Sequence, residues 1–147
     1  MRAAAWRRAA AVAVVVIGLD QLTKALVRAH VERGSVDSIL PGVDLVNVRN
    51  SGVAFGLLAG GGALVLGLTL AALAGLVVYF ATHATKPGVW LPTGLLLGGA
   101  LGNLLDRVRG EAVTDFIDLP LWPAFNLADV SITVGVIALL WVIEGQR

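Results

Sequence analysis

The sequence contains no cysteine and little charge. Without cysteine the chain of 147 residues has no disulfide bonds, no thiolate metal site and no cysteine nucleophile. Only 14% of its residues are charged, against about a quarter in an ordinary soluble domain. The net charge is +1, so there is no strongly basic surface for nucleic acid, and no nucleic-acid partner is expected. With 57% hydrophobic residues, this composition indicates an integral membrane protein.

Four apolar runs come close to the roughly 20 residues that a membrane-spanning helix needs. They predict helices at about 9–26, 61–81, 89–105 and 124–143. Backbone polar groups in lipid must be bonded within the protein, and helices achieve this. We therefore predict an all-α membrane protein with four transmembrane helices, forming a single integral membrane domain.

The segment between the first two predicted helices, about 28–59, has a different pattern. Apolar and polar residues roughly alternate from Val43 to Val48, which is the period of a β-strand. The sequence therefore predicts a short strand or hairpin in this segment.

Basic residues suggest how the helices are oriented. Arg2, Arg7 and Arg8 precede the first apolar run, and basic residues near helix ends tend to remain in the cytoplasm. We expect both termini in the cytoplasm. The segments 28–59 and 106–123 then lie at the outer face, where seven of the ten acidic residues are found.

Three pairs of polar residues lie near the outer ends of the predicted helices. Ionisable groups at membrane depth usually face a protein interior or a wet cavity. Because the three pairs lie at the same level, they predict one shared polar site. The pairs are Asp20 with Lys24, Asn103 with Asp106, and Asn126 with Asp129.

Structural roles would also explain several of these residues. Asp20 and Lys24 are four residues apart, a favourable spacing for a helix ion pair. Asn126 is a good helix N-cap, and Asp129, three residues later, would complete a capping box. Asp118 is expected to be a solvated loop residue.

Structural roles would likewise explain the polar residues and the glycines of the third predicted helix. Asn103 and Asp106 can mark the boundary with water. Gly94, Gly98 and Gly102 are spaced four apart on one helical face, which predicts close helix packing.

Four sequence blocks, in this order and spacing, resemble those of bacterial lipoprotein signal peptidase (signal peptidase II). The resemblance covers nearly the whole chain. The blocks are "DQLTK" (20–24), "NVRNSGVAFGLL" (47–58), "GGALGNLLDRVRGEAVTDFIDL" (98–119) and "FNLADVSITVG" (125–135).

The resemblance implies a membrane aspartyl endopeptidase of the bacterial cytoplasmic (inner) membrane, with no cofactor or metal. Its substrate would be a prolipoprotein, cut just before a cysteine that carries diacylglyceryl. Membrane lipids would be its other partners, a monomer is expected, and segment 28–59 resembles the family's small β-cradle. The catalytic aspartates correspond to Asp115 and Asp129. Supporting and substrate-binding positions correspond to Asp20, Lys24, Asn50, Gly52, Asn103, Asp106, Arg107 and Asn126.

The chemistry of two neighbouring carboxylates suits peptide hydrolysis. Both cannot ionise easily, so they share a proton. The ionised member takes a proton from an attacking water, and the protonated member hydrogen-bonds the scissile carbonyl oxygen. No covalent intermediate forms in such a reaction.

Other functions are compatible with parts of the sequence. Ser51 and Lys24 can serve a serine–lysine hydrolase. Several carboxylates can bind magnesium in a lipid phosphotransferase. Buried acids also suit a small proton or ion carrier, and an inactive homologue can act only as a binding protein.

Overall fold

The structure is a computed structural model that describes residues 1–51, 62–110 and 112–145. These residues form four helices and four strands, arranged as two successive units in which a pair of strands lies between two helices. The helices are α1 (Arg2–His30), α2 (Gly62–His83), α3 (Trp90–Gly110) and α4 (Leu127–Glu144). The strands are β1 (Val36–Leu40), β2 (Val43–Asn50), β3 (Val113–Leu119) and β4 (Trp122–Phe125).

Among the described residues, three helices are long and apolar enough to cross a membrane, namely α1, α2 from Ala63 onward, and α4. Four helices were predicted and four are present, but α3 is not among these three candidates. The hydropathy of α3 is low because its last turns contain the charged residues Asp106, Arg107 and Arg109. Its glycines and Asn103 lower the hydropathy further.

Helix α3 packs against all three other helices, and its glycines allow this. A Cβ atom on Gly98 would lie 2.7 Å from the Cβ of Val16 in α1. A Cβ atom on Gly102 would lie 2.6 Å from the Oδ2 atom of Asp20, and Gly94 is equally crowded. The predicted close packing at this glycine row is confirmed.

The strands form one antiparallel sheet in the order β1-β2-β3-β4. The predicted hairpin is confirmed by the pairing of β1 with β2. The pairing of β2 with β3 joins two segments that are distant in sequence, and it places Asn50 opposite Val113 and Val48 opposite Asp115.

The outer segments differ from the prediction in several places. Residues 28–30, predicted in the β-containing segment, form the last turn of α1. Residues 106–110 continue α3 instead of beginning a connection, because a helix can continue through polar residues that end an apolar run. Asp118 is half-buried in β3 and not in a solvated loop. Helix α4 starts at Leu127 and not at 124, because β4 occupies 122–125.

The remaining helix boundaries agree more closely with the apolar runs. Helix α1 extends the predicted 9–26 in both directions, again through polar residues. Helix α2 ends two residues later than predicted, and residue 61 lies outside the described residues.

A small apolar cluster packs the sheet against the C-terminal end of α1. Val27 and Val31 are buried against Phe116 of β3, with Leu45 of β2 packed beside them. Because successive side chains of a strand point to opposite faces, Phe116 faces α1 while its neighbour Asp115 faces away.

Candidate functional site

Asp115 is held by amide groups from two different elements. Its side chain is buried, with 2% of its surface exposed. The Nδ2 atom of Asn50 donates to Oδ2 of Asp115 at 2.9 Å, and Nδ2 of Asn126 donates to Oδ1 at 2.7 Å. The first contact depends on the pairing of β2 with β3, and the second on the start of α4.

Asp129 lies in the first turn of α4, where the predicted capping box is confirmed. The backbone N–H of Asp129 donates to Oδ1 of Asn126 at 3.0 Å. The backbone N–H of Asn126 donates back to Oδ2 of Asp129 at 3.2 Å. A second donor to this carboxylate, Nδ2 of Asn103, reaches Oδ1 of Asp129 at 2.8 Å.

Asn126 connects the two carboxylates. Its Oδ1 atom caps α4 at the backbone of Asp129, while its Nδ2 atom donates to Asp115 and, at 3.1 Å, to Oδ1 of Asn103. Asn126 is fully buried, so its own hydrogen bonds are shielded from water. Its role as a cap is therefore compatible with a place in the polar site.

Asp115 and Asp129 open on the same cavity, which has a volume of about 520 Å³. Typical pockets for small molecules have volumes of about 300–1,000 Å³. The polar side of the cavity also contains Asn50, Asn103 and Arg107. The apolar wall comes from β4 and α4, with Trp122, Pro123, Ala124, Phe125, Val130, Ile132 and Val134.

Burial raises the pKa of Asp115 to about 6. The hydrogen bond from Asn50 opposes this increase, and the negative charge of Asp129 adds to it. A buried carboxylate with a like charge nearby is expected to bind a proton more readily. Asp115 therefore takes up a proton at a pH where an ordinary aspartate is ionised.

A second group of charges, beside the first, surrounds Lys24. Its Nζ atom lies 2.8 Å from Oδ2 of Asp20 and 2.9 Å from Oδ2 of Asp106. It also donates to Oδ1 of Asn103 at 2.9 Å. The predicted ion pair between Asp20 and Lys24 is confirmed. All three ammonium protons have acceptors, so Lys24 offers no free amine to the exposed Ser51.

The sequence of this chain matches a known protein family. Residues 12–144 match the family model described as "Signal peptidase (SPase) II". The chain belongs to the signal peptidase II family. It is thus a peptidase, and the apolar helices agree with a membrane protein.

Individual relatives support this membership. The chain is 44% identical over 131 residues to the lipoprotein signal peptidase of Moorella thermoacetica, covering 88% of this chain and 87% of the relative. It is 40% identical over 130 residues to that of Halothermothrix orenii, covering 88% and 90%. A solved structure described as a bacterial membrane enzyme, determined by the in meso method at 2.3 Å, has a TM-score of 0.86 and 33% identity. It covers 93% of this chain and 87% of that chain.

Sequence reasoning missed several contacts around this candidate site. Nε2 of Gln21 donates to Oδ1 of Asp106 at 3.0 Å and to Oδ2 of Asp20 at 3.2 Å. Its position directly after Asp20 was the available signal. The backbone N–H groups of Thr114 and Ala128 donate to Asp106 and Asp20, respectively. Because every residue except proline has a backbone N–H group, such donors cannot be recognised from the residue type.

Two predicted site residues remain to be placed. Arg107 lines the cavity with both carboxylates, and its Nη1 atom lies 3.5 Å from the backbone oxygen of Asn103. Gly52 lies outside the described residues. Within 1–51, 62–110 and 112–145, no three His, Asp or Glu side chains are grouped as metal ligands.

Proposed function

We propose that this peptidase removes the signal peptide from prolipoproteins during lipoprotein maturation. The family match and the shared name of the relatives, lipoprotein signal peptidase, support this assignment. We further propose that the cut lies just before a cysteine that carries diacylglyceryl. The cavity supports this detail, because its polar end suits a peptide and its apolar wall suits a neighbouring lipid.

The proposed reaction is an aspartic hydrolysis by Asp115 and Asp129. One observation carries it: both carboxylates are hydrogen-bonded through Asn126 and open on one cavity. In the proposed step the ionised carboxylate takes a proton from water as the oxygen attacks the scissile carbonyl carbon. The protonated carboxyl hydrogen-bonds the carbonyl oxygen, and a proton is then delivered to the leaving nitrogen as the C–N bond breaks.

The remaining predicted residues have supporting roles in this proposal. Asn50, Asn103 and Asn126 hold the two carboxylates in position through donated hydrogen bonds. Asp20, Lys24 and Asp106 anchor α1 to α3 behind them. Arg107 supplies positive charge beside the cavity, and Gly52 is retained as a predicted supporting position.

We propose that residues 1–147 form one membrane domain with four spans and both termini in the cytoplasm. Helix α3 is then the fourth span. Its burial supports this, since Asn103 and Asp106 are covered by protein and not by lipid. The carboxylates lie near the outer face of the inner membrane, the lipids surround a monomer, and the acyl chains of the substrate remain in the bilayer.

The proposal is tested with the purified full chain in detergent and one precursor in two forms, with and without diacylglyceryl on the cysteine. Cleavage of the modified precursor before the cysteine is expected, and little cleavage of the unmodified one. A chelator and the Ser51→Ala variant are expected to leave the rate unchanged. Loss of cleavage with chelator would favour a metal-dependent reaction, and loss with Ser51→Ala would favour a serine–lysine hydrolase.

A further inference from the structure

A second cavity lies on the other face of the sheet, away from the two carboxylates. It has a volume of about 560 Å³ and lies between the end of α1 and β2. Arg49 faces it from β2, opposite Thr114 of β3. Its wall is strongly basic, and the residues that line it are Arg28, Ala29, His30, Val31, Glu32, Arg33, Asn47 and Arg49.

The described residues leave the positive charge of this cavity largely without acidic partners. Arg33 and Arg49 are exposed, and neither makes an ion pair or side-chain hydrogen bond with any described residue. Arg28 donates one hydrogen bond, from Nη1 to Oγ1 of Thr114 at 3.1 Å, and a guanidinium has five donors. Of the described residues that line the cavity, only Glu32 is acidic. The cavity therefore has guanidinium N–H donors and a net positive charge that can bind an anion.

An apolar surface leads along α1 into this cavity. Leu22 and Leu26 are 55% and 50% exposed. Together with Ala29, which lines the cavity, they are spaced four and three residues apart and so share one helical face. Helix α1 is a candidate membrane span that ends at His30. The arginines thus lie at the level of lipid headgroups, directly beyond leucines at the level of the acyl chains.

We propose that this cavity binds the phosphate of an anionic phospholipid, whose acyl chains lie against Leu22 and Leu26. Arginine suits phosphate because its planar fork donates two parallel hydrogen bonds. Basic pockets at a membrane surface bind anionic headgroups for the same reason. The continuous apolar face favours a lipid over an acidic peptide, which would leave the leucines without a partner.

The test measures lipid binding by the full chain in nanodiscs of phosphatidylcholine with increasing phosphatidylglycerol, by native mass spectrometry of the retained lipid. Arg33→Gln and Arg49→Gln are each expected to weaken retention of phosphatidylglycerol about fivefold. Arg109→Gln is the matched control, since Arg109 is an exposed arginine at the end of α3 that does not line the cavity. Glu32→Gln is expected to strengthen retention, a gain that misfolding does not produce.

Three results would overturn the proposal. The first is equal retention by all four variants. The second is displacement of the lipid by inorganic phosphate at equal concentration, which would indicate a simple anion site. The third is an acidic peptide that binds through Arg49 while the lipid does not. No substrate is present in this assay, so a result against lipid binding would not bear on the proposed peptidase reaction.

Discussion

Two groups of carboxylates lie side by side in this protein, and they are held in different ways. Asp20 and Asp106 share the ammonium group of Lys24 at 2.8 and 2.9 Å. Asp115 and Asp129 instead accept hydrogen bonds from neutral amides, with Asn126 common to both. The first group is bound by a positively charged donor, whereas the amides that bind the second group carry no net charge. The second arrangement leaves a carboxylate free to exchange a proton, which is what acid–base catalysis requires.

The largest expected effect comes from neutralising either amide-held carboxylate. Asp115→Asn and Asp129→Asn are each expected to lower kcat/KM for the modified precursor by about 10³-fold, since each removes one of the two groups proposed to transfer protons. Membrane insertion and the folded fraction in detergent serve as controls. Near-normal cleavage by either variant would contradict the assigned roles.

Removing the ammonium group is expected to damage stability before chemistry. Lys24→Met leaves Asp20 and Asp106 buried as like charges, which we expect to cost about 3–5 kcal/mol. The measurement is the thermal unfolding midpoint in detergent. The double variant Lys24→Met with Asp106→Asn removes one of the stranded charges and is expected to recover part of the loss. A single variant as stable as the original chain would show that this ion cluster does not hold α1 to α3.

Substitutions of Asn126 can separate its role as the N-cap of α4 from its role as a hydrogen-bond donor to Asp115. Asn126→Ser keeps a good N-cap for α4 but loses the Nδ2 donor to Asp115 and Asn103. We expect a loss of about 10- to 100-fold in kcat/KM and a loss of about 1.5–3 kcal/mol in stability, since a buried hydrogen bond to a charged group is removed. Asn126→Ala is expected to lose about 1 kcal/mol of stability as well. If serine restored full activity, capping alone would explain Asn126.

The smallest expected effect is in the pH dependence of stability. The pKa of Asp115 is raised to about 6 in the folded protein, so the folded state binds a proton more tightly than the unfolded state does. Its contribution is fully present below pH 4 and is lost as the pH rises through about 6. We expect a loss of about 1–3 kcal/mol over this interval. Asp115→Asn should remove this part of the profile, and an identical profile in both proteins would contradict it.

The sequence predicted the parts of this structure that depend on local patterns. The apolar runs located four helices, the spacing of Gly94 to Gly102 predicted close packing, and "NLAD" predicted the capping box at Asn126. Each of these features is determined by residues within a few positions of one another, so local physical rules are sufficient.

The parts that were missed depend on contacts between distant segments. Strands β3 and β4 follow α3, where the sequence predicted the outer segment 106–123 and the start of the fourth helix at about 124, and β3 is specified by its pairing with β2. That pairing brings Asn50 to Asp115 across 65 positions in the chain. The resemblance to a family pointed to Asn50, but no local pattern predicts which carboxylate it contacts.

The most direct test of the shared-proton account is a titration of Asp115 by ¹³C-carboxyl NMR, in the original chain and in Asp129→Asn. The account predicts that the pKa of Asp115 is about 6 in the original chain and lower in the variant, because a neighbouring negative charge has been removed. A pKa near the ordinary value of about 3.9, unchanged by the substitution, would contradict the claim that these two carboxylates act together.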